Sequence, residues 1–286
     1  MNMKLSDLAK EILEEDQVKN DITTSKLASL AQKKAEFNIV TREPAVFSGL
    51  SWVEAVATQS DIQFSSLPTE GEHFDSGSIL IFGSGYVSEL LAVERSLLNV
   101  LQQTCGVATF TASIVEKVQK AAREKGISSE SIPKIFHTRK TLPLLRDLQI
   151  DAVLAGGANL HRRDLASRML FKDNHKRLIE ESGQSYADFL GEHLSFSEMQ
   201  EALVEVDSLA EALSLKDLGV KNILLDNFSP EQVQEAVTKL PGVNLEVSGG
   251  VNAQSIGQYV IPGVARISLG CLTHSVRALD LSLDIC

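Results

Sequence analysis

From Lys134 to Leu269 the sequence cycles between short apolar runs and longer segments, and this rhythm limits the chain to few folds. Lys134-Ile135-Phe136, Ala152-Val153-Leu154, Met169-Leu170-Phe171, Leu203-Val204-Glu205-Val206, Ile223-Leu224-Leu225, Leu245-Glu246-Val247 and Ile267-Ser268-Leu269 read as strands. Leu209 to Leu218, Pro230 to Leu240 and Ala253 to Tyr259 carry helical spacing between the later ones. Strands alternating with helices imply a parallel sheet, closed as a barrel or doubly wound. No GxGxxG or GxxxxGK[ST] follows a strand, which removes the main support for a nucleotide-binding doubly wound sheet. Polar or reactive residues follow nearly every run: Arg139-Lys140, Gly156-Gly157, Lys172, Glu205 and Asp207, Asp226-Asn227, Ser248-Gly249-Gly250 and Gly270. Barrel enzymes build their sites on that rim, so an incomplete parallel α/β barrel of about seven strands is expected.

The texture upstream differs. Leu5, Leu8, Ile12 and Leu13 predict an amphipathic helix over about residues 4 to 15. From Ala35 to Val87 short alternating runs punctuated by glycine predict strands and turns, with one helix near Trp52 to Thr58. This is read as an N-terminal mixed α/β domain. Between Ser88 and Lys125 helical spacing returns on both sides of Gly106, which predicts two helices broken there. The domain boundary is drawn at that break, with residues 1–108 on one side and the barrel, residues 109–271, on the other.

Charge singles out one stretch. The chain has 27 Lys and Arg against 38 Asp and Glu, a net of −11, yet His137 to His175 holds seven Lys or Arg, four Asp and three of the six histidines. A local reversal of sign in an acidic protein marks a pocket for a multiply anionic substrate rather than a solubilising surface. The acidic balance weighs against nucleic acid as a partner. No apolar stretch approaches membrane-spanning length, and the acid-containing N-terminus is unlike a signal or transit peptide. Cys105, Cys271 and Cys286 form no CxxC pair, which fits a reducing cytoplasm and argues against a zinc site.

Arg139 and Lys140 pair a planar fork with a point charge, suited to carboxylate or phosphate oxygens; Arg162 and Lys172 take equivalent places. His161 is either a ligand or a satisfied structural histidine, and His175 leans further toward structure. Glu205 and Asp226 face the same mouth, where they could hold Mg²⁺ through water, orient a ribose diol or neutralise Lys140 and Lys172. Ser248-Gly249-Gly250 and Leu269-Gly270-Cys271 enter the rim with backbone N–H groups that suit a phosphate, or else are tight turns.

These residues sit in ordered motifs: Asp21-Ile22-Thr23-Thr24, Glu94 to Asn99, Gly106-Val107-Ala108-Thr109, Thr138-Arg139-Lys140-Thr141, His161-Arg162, Lys172-Asp173-Asn174-His175, Leu225-Asp226-Asn227, Ser248-Gly249-Gly250 and Leu272-Thr273-His274-Ser275. In them the chain resembles the quinolinate phosphoribosyltransferase family over most of its length. The resemblance implies an N-terminal α/β sandwich, an incomplete α/β barrel and a C-terminal segment, residues 272–286, returning to the first domain. It implies phosphoribosyl transfer from 5-phosphoribosyl 1-pyrophosphate to quinolinate with decarboxylation, in NAD biosynthesis. It further implies a homodimer in which Arg95 enters the partner's site, with a hexamer left open.

Carried over by position, Thr138, Arg139, Lys140, His161, Arg162 and Lys172 would bind quinolinate. Glu205 and Asp226 would meet the ribose and Mg²⁺, with Lys140 beside them in the catalytic set. Ser248, Gly249, Gly250, Leu269, Gly270 and Cys271 would hold the 5′-phosphate. Four positions depart from the family pattern: His137 stands where Asp is usual, Leu160 replaces Asn, Leu203 replaces an acid and Arg163 adds a charge. The first change removes an expected hydrogen-bond acceptor near Arg139 and Lys140.

Three rival readings remain at the level of sequence. A sister group associated with molybdenum transport tends to lose the Thr-Arg-Lys-Thr and Lys-Asp-Asn-His features kept here. A Schiff-base aldolase would need Lys140 or Lys172 among apolar neighbours, which neither has. A subunit that binds the phosphosugar without catalysis would keep the same pocket.

Overall fold

The computed structural model describes residues 4–286. They group into two compact units: the chain up to Ser113 with Thr141–Gly157 and Leu272–Cys286, and Ile114–Lys140 with Ala158–Cys271. In the first unit α1 (Leu5–Glu15) buries Leu8, Ala9 and Leu13, the face its spacing predicts. After it come β1 (Lys34–Thr41), β2 (Ala45–Val46), α2 (Leu50–Ala57), β3 (Gln63–Ser66), β4 (His73–Phe74), β5 (Ile79–Tyr86) and α3 (Val87–Glu124). Phe37 and Ile39 alternate inward from β1 and meet Trp52, Ile81, Leu90 and Leu97 in one apolar core. The Trp52 indole lies wholly inside, so its Nε1–H donates to the Leu97 carbonyl at 3.2 Å.

Two helix assignments correct the sequence reading. α3 is a single helix of 38 residues that passes through Gly106 without a break. A glycine in a helix interior costs about 1 kcal/mol against alanine. Burial of Leu97, Leu98, Leu101, Cys105, Val107 and Ala108 around it exceeds that cost. The missing side chain is used: the Arg277 carbonyl oxygen occupies the space a Cβ would need. Ala152-Val153-Leu154, expected as a strand, lies inside α4 (Arg146–Ala155), where Leu148, Ile150, Ala152 and Val153 are buried. Gly156 caps that helix and Gly157, with φ of +85°, follows it, so the glycine pair is a helix stop rather than a rim loop. A short apolar run cannot by itself separate strand from buried helix.

The second unit contains β6 (Lys134–Phe136), β7 (Leu170–Phe171), α5 (Asp173–Glu181), α6 (Tyr186–His193), α7 (Phe196–Glu201), β8 (Leu203–Val206), α8 (Leu209–Leu218), β9 (Asn222–Asp226), α9 (Pro230–Lys239), β10 (Asn244–Ser248) and β11 (Val264–Ser268). Six parallel strands run in the order β6-β11-β10-β9-β8-β7. The first strand in sequence pairs with the last, the connectivity of a sheet curling into a barrel. Asn159 adds a one-residue parallel bridge to Phe136. Ser208 and Ser229 cap α8 and α9 through their side chains, and Pro230 opens α9. Between Ala253 and Tyr259 the expected helix is only a 3-10 turn over Ile256–Tyr259.

The chain ends with α10 (Cys271–His274) and β12 (Leu281–Ile285). β12 runs antiparallel to β1, from Thr41↔Leu281 to Phe37↔Ile285, giving the first unit a sheet of order β12-β1-β5-β3. Among the described residues, no helix is long and apolar enough to cross a membrane.

Candidate active site at the strand ends

In a parallel sheet every strand delivers the residues after it to the same edge, so β6 to β11 place their C-terminal neighbours around one mouth. Arg139 and Arg162 come together there. Partial burial, and then the nearby Arg139 charge, hold the Arg162 guanidinium below its ordinary pKa. Arg139 Nε is buried and has no hydrogen-bond partner among the described residues. Two crowded cations with an unused buried donor are unfavourable unless an anion completes them. Thr138 shapes the same turn, its hydroxyl accepting from the Lys140 N–H at 3.3 Å.

Glu205, at the end of β8, is buried and accepts from Lys172 Nζ at 3.1 Å and from the Asp173 N–H at 3.3 Å. It therefore fixes the turn from β7 into α5, with the Lys172 side chain still 46% exposed. His175 caps that turn: its Nδ1 accepts from the Lys172 N–H at 3.0 Å, a structural task. Asp226, at the end of β9, titrates above the usual carboxylate range; burial is the main cause and the Glu205 charge adds to it, against Lys172 and Lys140.

β10 ends at Ser248, opposite Asp226 in register, and the chain then turns through Gly249 and Gly250 with φ of +81° and +66°. A Cβ on Gly249 would lie 2.6 Å from Asp226 Oδ1, so the turn passes close to the acid and needs glycine. Leu269 corrects the expectation of free N–H groups: it is buried, and its N–H extends the ladder to the Phe136 carbonyl at 3.0 Å. Cys271 is partly buried, which pushes its thiol up, so it is a poor redox centre. Arg95 is exposed on α3, in the other unit.

His137 and His161 lie below the cations. His137 is fully buried, and its ring is bonded to the Thr138 carbonyl at 3.0 Å and the His161 N–H at 3.1 Å. A carbonyl only accepts and a backbone N–H only donates, so His137 is neutral with its proton on Nδ1. Burial, the largest cause, also lowers its pKa. The acceptor thought lost with Asp is thus present in His137, turned toward the backbone of His161. The His161 side chain meets Glu246 on β10, Nε2 to Oε1 at 3.0 Å, and Ser268 donates to the same oxygen at 2.5 Å. Glu246 escaped the sequence reading, although an acid within Leu245-Glu246-Val247 was a signal for it. Leu203 is buried in β8, where an acid would need its own partner, and Leu160 is partly exposed.

Comparisons with known proteins identify the family. The family model for the quinolinate phosphoribosyl transferase C-terminal domain matches residues 107–284, and that for the N-terminal domain matches residues 21–105. The chain is 34% identical over 286 residues to the probable nicotinate-nucleotide pyrophosphorylase (carboxylating) of Methanocaldococcus jannaschii, covering 97% of this chain and 96% of that one. It is 35% identical over 256 residues to the nicotinate-nucleotide pyrophosphorylase (carboxylating) of Mycobacterium leprae, covering 87% and 85%. The crystal structure of nicotinate-nucleotide pyrophosphorylase from Ehrlichia chaffeensis superposes with a TM-score of 0.84 at 31% identity, over 100% of both chains. NadC from Streptococcus pyogenes gives 0.86 at 30% identity, over 100% and 99%. Fold and comparisons together place the chain among the phosphoribosyltransferases. Within that class the chain belongs to the quinolinate phosphoribosyltransferase family.

Proposed function

We infer that the chain transfers the phosphoribosyl group of 5-phosphoribosyl 1-pyrophosphate to quinolinate and removes one carboxylate, giving nicotinate mononucleotide, pyrophosphate and CO₂ for NAD biosynthesis. The observation that carries this reading is the Arg139–Arg162 pair, with its buried unpartnered Nε, in a mouth that also holds two acids. A pyridine dicarboxylate supplies the negative charge and planar oxygens such a pair requires.

In the transfer, the pyridine nitrogen forms a bond to C1′ while the bond from C1′ to pyrophosphate breaks, through a transition state of oxocarbenium character. Arg139, Arg162, His161 and Lys172 hold the ring so that its nitrogen faces C1′. Glu205 and Asp226 lie where the ribose would sit, and the turn at Ser248–Gly250 suits the 5′-phosphate. With the ring nitrogen quaternised, the electron pair of the bond to the adjacent carboxylate passes into the ring, CO₂ leaves and the carbon takes a proton from water. No protein nucleophile is required.

Mg²⁺ belongs to this reading. The Glu205–Asp226 pair offers hard oxygen donors, and burial, with the Glu205 charge second, holds the Asp226 carboxyl above its ordinary pKa, a cost a cation would relieve. Bound there through water, Mg²⁺ would neutralise charge on the departing pyrophosphate. Exposed Arg95 on α3 fits donation to a partner's site, so the active form is proposed as a homodimer. A cytoplasmic location suits three free cysteines.

Purified protein with quinolinate, phosphoribosyl pyrophosphate and Mg²⁺ should release nicotinate mononucleotide and CO₂, with nicotinate inert in parallel. Turnover of nicotinate but not quinolinate would overturn the assignment.

A further inference from the structure

The second unit carries a buried carboxylate, Glu246, that the reaction scheme does not use. Glu246 is 1% exposed at its side chain and His161 only 6%. The Glu246 Oε1 atom accepts from His161 Nε2 at 3.0 Å and from the Ser268 hydroxyl at 2.5 Å. Its Oε2 is buried without a hydrogen-bond partner, and the nearest cation, Arg266 NH1, lies 3.9 Å away. Removing an isolated carboxylate from water is costly, and such a group persists only where it compensates a charge or holds a donor in place.

We propose that Glu246 is a positioning residue for quinolinate binding: its bond to Nε2 fixes the His161 imidazole and leaves Nδ1 as the ring nitrogen presented to the substrate. This rests on the activity inferred above. The argument is one of hydrogen-bond inventory. An imidazole has two nitrogens, and the one bonded to Glu246 cannot also meet a ligand. Because Glu246 takes Nε2 at 3.0 Å, Nδ1 is the nitrogen left for the ligand. His137 holds the backbone of the same residue, accepting the His161 N–H at 3.1 Å, so side chain and main chain are both fixed from behind.

Charged groups of both signs lie around His161, and Arg139 and Arg162 are the cations on the side of the mouth. Glu246 on β10 is the acid in hydrogen-bond contact. Arg266 on β11 sits beyond it and Arg168 near Arg266, while His137 after β6 is neutral and Arg163 acts on His137. Burial pushes the Glu246 carboxyl up. The His161 bond and charge, the Ser268 bond and Arg266 outweigh it, and the net direction is down, so the carboxylate is ionised. The Phe136 ring packs edge-on to His161 at 6.1 Å and under Arg266 at 5.0 Å, which keeps the chain dry on that side.

Glu246→Gln keeps the shape and an acceptor but removes the charge. At pH 8 the variant should show KM for quinolinate raised about tenfold, equivalent to about 1.4 kcal/mol, with KM for phosphoribosyl pyrophosphate unchanged. Unchanged KM for quinolinate, or equal increases for both substrates, would overturn the proposal. A second readout does not depend on activity: ¹⁵N-histidine NMR of the full chain should place a proton on His161 Nε2, and that signal should move in Glu246→Gln. If the wild type fails to use quinolinate but the signal moves, the assigned reaction fails while the Glu246–His161 pairing stands. If the signal does not move, the pairing itself is wrong.

Discussion

Arg139 and Arg162 are two cations held close together, and in the proposed reading a bound substrate carboxylate relieves their repulsion. Truncating either charge, as in Arg139→Gln, should therefore weaken quinolinate use by roughly 2 to 5 kcal/mol in kcat/KM. Steady-state kinetics with quinolinate varied would test this, and unchanged kcat/KM would remove Arg139 from the site. Asp226 behaves in the opposite sense. Its pKa is raised by burial and by Glu205, so the folded state disfavours the ionised form; this cost is complete at neutral pH, declines as pH falls through the folded pKa and is gone below the ordinary value of 3.8. Asp226→Asn should raise Tm while abolishing the Tm increase given by Mg²⁺ with phosphoribosyl pyrophosphate, measured by scanning calorimetry. The cations and both acids were legible in sequence because each directly follows an apolar run. Glu246 was not, because its partners are His161, 85 positions away, and Ser268, 22 away, and nothing local joins them.

At the scale of elements, the turn after β10 and the end of β6 decide the geometry of the mouth. Gly249→Ala forces a side chain into positive φ and against Asp226, which should cost about 1 to 3 kcal/mol of stability or an equivalent displacement of the turn. The expected result is a lower Tm together with a higher KM for phosphoribosyl pyrophosphate. The end of β6 carries a pH signature. His137 has a lowered folded pKa and an ordinary value near 6.5, so the unfolded chain binds the extra proton first. Stability from this group is therefore complete above about 6.5 and is lost as pH falls from there toward the folded pKa. His137→Gln offers an amide oxygen to the His161 N–H but cannot titrate; its Tm should fall less steeply than the wild type's between pH 7 and pH 5. Helices with clear stops were readable: α8 matches its predicted bounds because Ser208 and Gly219 mark both ends. α4 was misread because ten residues rich in buried apolar side chains resemble a buried strand, and the tertiary contacts that distinguish them lie elsewhere in the chain.

At the scale of the whole molecule, the barrel was readable because alternating strands and helices admit few topologies, and the pairing of β6 with β11 follows once the sheet curls. The assembly is not written in any periodicity, and Arg95 is where it can be tested. If each site in the proposed homodimer takes Arg95 from its partner, then Arg95→Ala and Arg139→Gln proteins should each be nearly inactive alone. A mixed dimer still contains one complete site, formed by the Arg139 of the first variant and the Arg95 of the second. Random exchange of equal amounts places half of the chains in mixed dimers with one working site of two, so about a quarter of wild-type activity should return. The measurement is the rate of CO₂ release after the variants are unfolded together and refolded, compared with the same proteins refolded separately. Recovery in the joint sample alone requires that the arginine cross between subunits. No recovery, with mixed dimers demonstrated by native mass spectrometry, would place Arg95 in its own subunit's site or outside the reaction.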